Sequence, residues 1–298
     1  MHQICFKAMG GVNEISISFP NGEEGSDVIN TSIQLVKDLE NKYSRYLPDS
    51  ILSRCNRNSG VEPVFVDGET ISLIEYADRC FDQSNGLFDI TSGVLRKVWD
   101  FKKKTLPISN EIEKIKKLIG WSKVVRTKDS IFLPVQGMEI DLGGVVKEYA
   151  SDRVAHELKL SGVKHALVNL GGDIHAIGPR EDGTPWRVGI TNPRNVKKTI
   201  ASFPLLQGAL ATSGDYERFF EHAGKRYCHI LNPKTGWPVN EFQSVTVCAT
   251  SCLVAGSLST IAMLLGKKKG LELLNDSGFP FLAITAEGKC FVKGEFVF

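Results

Sequence analysis

Residues 228–239 read CHILNPKTGWPV, and the chemistry on offer there is a proton acceptor beside a rigid turn. Proline fixes φ and glycine supplies positive φ, so Pro-Lys-Thr-Gly-Trp-Pro alone makes the turn. The turn does not require His229, whose imidazole changes charge near neutral pH. In RYCHIL, strand alternation puts Tyr227, His229 and Leu231 on one face, so His229 reads either as a satisfied core residue or as a general base. Four other stretches offer partners for it.

IDLGGVVKEYASDRV (140–154) sets two glycines at a strand-to-helix junction, where free backbone N–H groups can hold anionic oxygens, with Lys147 one helical turn in. It lacks both the Walker A spacing and the three-glycine dinucleotide fingerprint, and a plain Gly-Gly turn before an amphipathic helix would look the same. VNLGGDIHAIG (168–178) repeats the theme with Asp173 directly after the glycines, and a tight bend in a strand would also produce it. ATSGDYERFF (211–220) reads as a cap of Thr212, Ser213, Gly214 and Asp215 before an aromatic stripe at helical spacing. The cap suits a phosphate and the stripe suits a core. GLFDITSGVLRKVWDF (86–101) holds Asp89 between Phe88 and Ile90. Such a buried carboxylate needs hydrogen-bond donors, either from the protein or from the N–H groups of a flavin or purine ring.

These groups need a scaffold. ICFKAMGGVNEISISF (4–19) alternates as a strand pair, and apolar residues from Val28 to Tyr43 recur at helical spacing after the cap Ser26-Asp27. Further helices are expected at 69–84, within NEIEKIKKLIG (110–120), from Val145 to Gly162, and in LVAGSLSTIAMLLG (253–266). A hairpin turning at Lys128-Asp129 and strands in HALVNLGGDIHAIG, WRVGITNP, KTIASFPLLQGALATSG, KRYCHILNP, SVTVCATS, FLAITAEG and CFVKGEFVF complete the reading. Strands and helices mix without a strict βαβ rhythm, which predicts an α+β fold with a largely antiparallel sheet and flanking helices. No linker tract or repeat divides residues 1–298, so a single domain is expected.

Composition narrows the class. The 298 residues are 42% hydrophobic, 9% aromatic and 23% charged, which excludes disordered and fibrous chains. A net charge of +2 gives no electrostatic case for nucleic acid or a membrane surface. The seven cysteines are odd in number and lack CxxC spacing, against a disulfide framework or zinc ribbon. With neither a secretory leader pattern nor a run of roughly 20 apolar residues, a cytoplasmic protein is expected.

The stretches AMGG, SRYLPDSILSRCN, GLFDITSGVLRKVWDF, IDLGGVVKEYASD, VNLGGDI, WRVGITNP, ATSGDYERFF, RYCHILNPKTGWPV and SVTVCATS with LVAGSLST follow one another along nearly the whole chain. In that order they resemble the ApbE family, the FAD:protein FMN transferases. The resemblance implies a compact, T-fold-like α+β domain with FAD in a cleft between two subregions. It implies that FAD meets Met9, Tyr46, Leu87, Phe88, Asp89, Asp141, Lys147 and the backbone near Leu231, and the hydroxyls and N–H groups of Thr212, Ser213 and Gly214 are expected to join them. It also implies a reaction in which FMN passes to a Ser or Thr hydroxyl of a target flavoprotein and AMP leaves. Mg²⁺ neutralises charge, and His229 matches the histidine expected to act as general base.

Four departures bear on that expectation. The family writes ADALST where this chain has AGSLST, so Gly256 stands at the position of a magnesium-ligating Asp. Ser259, Thr260 and the carbonyl of Gly144 remain as candidate ligands, and without the carboxylate weaker Mg²⁺ binding is expected. Asn232 replaces a usual Asp before Pro, and MGG replaces MGT. Glu148 stands where the family has Gly, a change that a helix tolerates. The lost carboxylates allow a weakly metal-dependent transferase, a low-activity variant, or a paralogue that binds FAD without transferring it. Hydrolysis of FAD to FMN and AMP is a further alternative. DGETISL (67–73) does not match the DGxSxAT-like acceptor pattern, so the acceptor is expected to be a separate protein.

Overall fold

The computed structural model describes residues 2–18 and 22–298. Strands β1 (His2–Ala8) and β2 (Gly11–Ser18) form the opening hairpin, whose expected end at Phe19 lies outside the described residues. Its two-residue turn, Met9 at φ +52° and Gly10 at φ +74°, has the primed geometry that matches strand twist. Helix α1 (Gly22–Tyr43) starts ahead of the Ser26-Asp27 cap, since an acidic residue early in a helix is favoured by the helix dipole without having to begin it. A short helix α2 (Ile51–Arg57), not anticipated from periodicity, is capped by the Ser50 side chain, which accepts from the Ser53 N–H. Strand β3 (Val64–Phe65) precedes α3 (Gly68–Gln83), capped by Asp67. A 3₁₀ segment (Ile90–Lys97) leads to α4 (Ser109–Lys116), and the hairpin β4 (Val125–Arg126) with β5 (Ser130–Phe132) joins β3 in a small sheet.

Helix α5 (Val146–Leu160) ends before Gly162, at φ +81°. Strands β6 (His165–Leu170) and β7 (Asp173–Ile177) are joined by Gly171 and Gly172, both at positive φ. Then follow the hairpin β8 (Trp186–Asn192) with β9 (Asn195–Leu205), strand β10 (Gly208–Gly214) and the hairpin β11 (Phe219–His222) with β12 (Lys225–Cys228). Strand β13 (Phe242–Ala249), helix α6 (Cys252–Asp276), β14 (Phe281–Thr285) and β15 (Cys290–Lys293) close the chain.

Eight strands form one sheet in the order β1-β2-β6-β7-β10-β13-β14-β15, with every neighbouring pair antiparallel, as the α+β reading expects. Alternation divides its two faces. Ala166, Val168 and Leu170 of β6 join the core under the helices, and Ala211, Val245 and Ala283 join the one beneath α6. Leu210, Cys248 and Leu282, each one residue out of phase, pack instead against Trp186, Val188 and Phe203 of the β8–β9 hairpin. All seven cysteines are free thiols, and no helix among the described residues is long and apolar enough to cross a membrane.

Two expected elements differ. ATSGDYERFF is no capped helix: its first four residues finish β10 and the aromatic pair begins β11. Pairing of β10 with both β7 and β13 satisfies its backbone and overrides the local cap signal. The strand in KRYCHILNP stops at Cys228, so His229 and Leu231 do not share a strand face with Tyr227.

Asp152 of α5 ties the helices together. Its carboxylate accepts from the Cys252 N–H at 2.7 Å and the Leu253 N–H at 2.9 Å, capping α6, and lies 2.7 Å from His175 Nδ1. Helix α6 is broken at Gly266, at φ +77°, where the Glu241 carboxylate accepts from the Lys267 N–H. Asp152→Ala is expected to destabilise the fold by about 2–4 kcal/mol, because two hydrogen bonds to a charged acceptor vanish. A lower urea midpoint with unchanged slope would register it.

Candidate active site

Lys147, in the first turn of α5, reaches Asp173 at the start of β7, with Nζ 2.8 Å from Oδ2, and donates to the Gly171 carbonyl at 3.2 Å. Burial pulls the lysine pKa down, but the Asp173 and Glu148 carboxylates more than offset it and hold the ammonium charged. Asp173 itself is buried. One cation thus joins the α5 N-terminus to the Gly171–Gly172 turn.

Glu148 points inward. It is buried, its Oε2 has no hydrogen-bond partner, and burial with the nearby Asp173 charge raises its pKa to about 8. A Cβ built on Gly256 of α6 would fall 2.6 Å from Glu148 Cγ and 2.9 Å from Oε1. Real side chains never approach so closely, so Gly256→Asp cannot be accommodated while Glu148 keeps its place. Sequence reasoning passed over Glu148, although it falls in register with buried Ser151, Ala155 and Leu158 along α5, a spacing that marks the inward face.

Hydroxyls gather one turn further along α6. Ser213 Oγ of β10 is 2.8 Å from Ser259 Oγ and 2.8 Å from Thr260 Oγ1, and Ser259 donates to the Gly256 carbonyl at 2.9 Å. Thr212, the next residue back, turns to the opposite face of the sheet, where it pairs with Thr246 at 2.8 Å. The structure therefore separates Thr212 from Ser213. Gly214 is demanded by Tyr216, whose ring would lie 2.3 Å from a Cβ there.

His229 follows β12, its N–H bonded to the Arg218 carbonyl at 2.9 Å. Burial, reinforced by the Arg218 charge, lowers its pKa to about 4, so the imidazole is neutral near pH 7. Its Nδ1 is buried and has no partner. The next residues explain Asn232: its Oδ1 accepts from the N–H groups of Lys234 at 2.9 Å and Thr235 at 3.2 Å, building the Pro-Lys-Thr-Gly turn. Leu231 bridges across that turn to Pro238. Trp99 Nε1 donates to the Gly236 carbonyl at 2.8 Å, and Lys234 Nζ donates to the Asn85 carbonyl at 2.7 Å, so the turn is anchored beside the segment carrying Leu87, Phe88 and Asp89.

Asp89 is a structural cap here. Its Oδ1 accepts from the Thr91 N–H and hydroxyl and its Oδ2 from the Trp121 N–H alone, so Oδ2 keeps acceptor capacity. It lines a cleft of about 750 Å³ with Phe81, Gly86, Gly120, Pro233 and Lys234. Phe88 is buried and its ring approaches Gly144. Asp141 accepts from Arg45 at 2.6 Å and from the Gly143 N–H at 3.0 Å, and Arg45 also donates to the Tyr46 hydroxyl at 3.1 Å. Tyr46 is 71% exposed, with the Arg45 guanidinium over its ring 5.1 Å from the centroid, beside Arg57 and Arg96 in a second cleft. Met9 sits at the first hairpin turn, packed partly against the main core. Asp152, His175 and Cys252 bring possible ligand atoms within 4.8 Å of one another, but these groups are spent on capping α6 and on the Ile174 carbonyl.

A family model described as the ApbE family matches residues 9–282. The chain belongs to the ApbE family. It is 31% identical over 287 residues to an FAD:protein FMN transferase from Vibrio cholerae, covering 93% of this chain and 85% of that protein. A Klebsiella pneumoniae FAD:protein FMN transferase is 34% identical, over 81% of this chain and 76% of its own length. Among solved structures, the ApbE protein of Thermotoga maritima matches with a TM-score of 0.90 at 31% identity, covering 98% of this chain and 96% of that one. The flavin transferase ApbE of Vibrio cholerae matches at 0.85 and 27% identity, covering 98% and 97%. The ApbE pattern thus spans the elements that carry Asp141, Lys147, Asp173, Ser213 and His229.

Gly93 lies where a Cβ would be 2.6 Å from Asp141 Cβ and 3.2 Å from the Arg45 guanidinium. Gly93→Ala in this ApbE site is expected to cost about 1–3 kcal/mol by overpacking, seen as a lower thermal midpoint.

Proposed function

We propose that this chain transfers FMN from FAD to a Ser or Thr hydroxyl of a target flavoprotein and releases AMP. The supporting observation is His229: a neutral imidazole with a buried, unpartnered Nδ1, close enough to Lys147 to feel its charge. The acceptor oxygen forms its bond to the flavin-side phosphorus as the bridging P–O bond breaks, and the hydroxyl proton passes to His229. Lys147, kept cationic by Asp173, meets charge on the pyrophosphate, and the first turn of α5, which carries no side-chain cap, leaves N–H groups for phosphate oxygens. Tyr46 offers a stacking face for a ring. The groups around Gly256 are the Ser259 and Thr260 hydroxyls and a buried Glu148 carboxyl with one oxygen unpaired, to which the family resemblance adds the Gly144 carbonyl, and that oxygen chemistry fits Mg²⁺. When bound, Mg²⁺ would neutralise charge on the phosphates.

Asn232 spends its side chain on the turn and Gly256 faces a carboxylate, so neither position argues for a chain that only holds FAD.

Incubation with FAD, Mg²⁺ and a separate domain carrying the acceptor pattern is expected to add the mass of one FMN to that domain and to release AMP, both lost in His229→Ala. Retention of FAD without adduct would mean a binding protein, and AMP with free FMN a hydrolase. The pH profile gives an independent check. Because the His229 pKa is depressed to about 4, the imidazole accepts protons above that pH and is blocked below it. The acid limb of kcat/KM assigned to His229 should therefore fall near pH 4, with no histidine-like titration around 6.5.

A further inference from the structure

Two positions at which this chain leaves the family pattern meet in space. Glu148 occupies, from α5, the volume into which a side chain at 256 would project from α6: an ideal Cβ there lies 2.6 Å from Glu148 Cγ, 2.9 Å from Oε1 and 3.2 Å from Cδ. The carboxyl group lies deep. Glu148 is 7% exposed and Oε2 has no donor, while the nearest cation on its own helix, Lys147, is committed to Asp173 at 2.8 Å. A buried carboxylate oxygen without a partner is costly, so its persistence points to a ligand.

The surroundings state which ligand. Thr260 stands four residues after Gly256, on the same face of α6, and Ser259 is beside it; Ser213 Oγ lies 2.8 Å from both hydroxyls. The hydroxyls of Ser259 and Thr260 from α6 and of Ser213 from β10 meet here, and a carboxylate comes from α5. That is the donor chemistry of Mg²⁺ or Mn²⁺ and not of a soft metal.

We propose that Glu148 supplies the carboxylate ligand for a divalent cation at this site, in place of the Asp that the family pattern carries at position 256. The ligand has moved from one helix to the other while its charged end stays in one place. Glycine at 256 is then required, since it makes room for the glutamate. The assignment rests on the transferase reading of the site, but it is tested by metal binding alone, so the two can fail separately.

The experiment is a titration of the full chain with Mn²⁺, with and without FAD, read by the electron paramagnetic resonance signal of free Mn²⁺. Glu148→Gln keeps the shape and removes the charge; it should weaken Mn²⁺ by about tenfold or more, with no loss of thermal stability. Gly256→Asp alone should fold poorly, because both side chains claim the same space. Glu148→Gly combined with Gly256→Asp should recover Mn²⁺ affinity, which a mere packing role for Glu148 does not explain. Wild-type affinity in Glu148→Gln, absence of Mn²⁺ binding in the wild type, or a folded pair variant that fails to recover binding would each overturn the assignment. Mn²⁺ binding that follows this pattern in a chain without transferase activity would support the ligand and overturn the proposed reaction instead.

Discussion

The ion pair between Lys147 and Asp173 is the contact on which the arrangement turns. It spans 2.8 Å between the first turn of α5 and the first residue of β7, and it keeps a cation at a helix N-terminus that already presents N–H groups. Placing a lysine among backbone dipoles of the same sign is unfavourable by itself. A buried carboxylate makes it tenable, and Gly171 and Gly172, both at positive φ, make the tight turn that brings Asp173 to the lysine. From this corner the remaining groups are reached through short covalent paths: Glu148 is the next residue on α5, and Asp152 one turn later caps α6, which carries Gly256, Ser259 and Thr260.

A sheet with all neighbours antiparallel makes that economy possible. Residues of one strand are sorted to two faces by alternation alone. Ser213 therefore looks toward α6 and Thr212 toward the hairpin side, though they are adjacent in sequence. The turn after His229 is held from outside the sheet, by Trp99 and by the Asn85 carbonyl, so the histidine backbone sits at the meeting point of two chain segments more than a hundred residues apart.

Much of this was legible in the chain itself. The helix ending at Gly162, the bend at Gly171-Gly172 and most of the strands from 165 onward follow from local rules that the tertiary structure keeps. The ordered motifs fixed the family and so the neighbourhood of His229, Lys147 and Asp141. Where local reading failed, nonlocal pairing decided. The Thr-Ser-Gly-Asp cap signal was real as a pattern, yet β7 and β13 both offered backbone partners, and a central strand resulted. For Asp89 the sequence leaves open whether donors come from the protein or from a ring, because Thr91 and above all Trp121 cannot be placed beside it. Glu148 reads as a change that a helix tolerates for a related reason: a helical glutamate is ordinary until the residue it faces across the core is placed.

That last feature couples two positions far apart in the chain. Positions 148 and 256 share one volume, so a glutamate at the first and an aspartate at the second cannot coexist without displacing one another, and two glycines leave the corner without an acid. The two positions therefore act as one unit: a change at either is read through the other, and only a paired substitution keeps a single side chain in that volume.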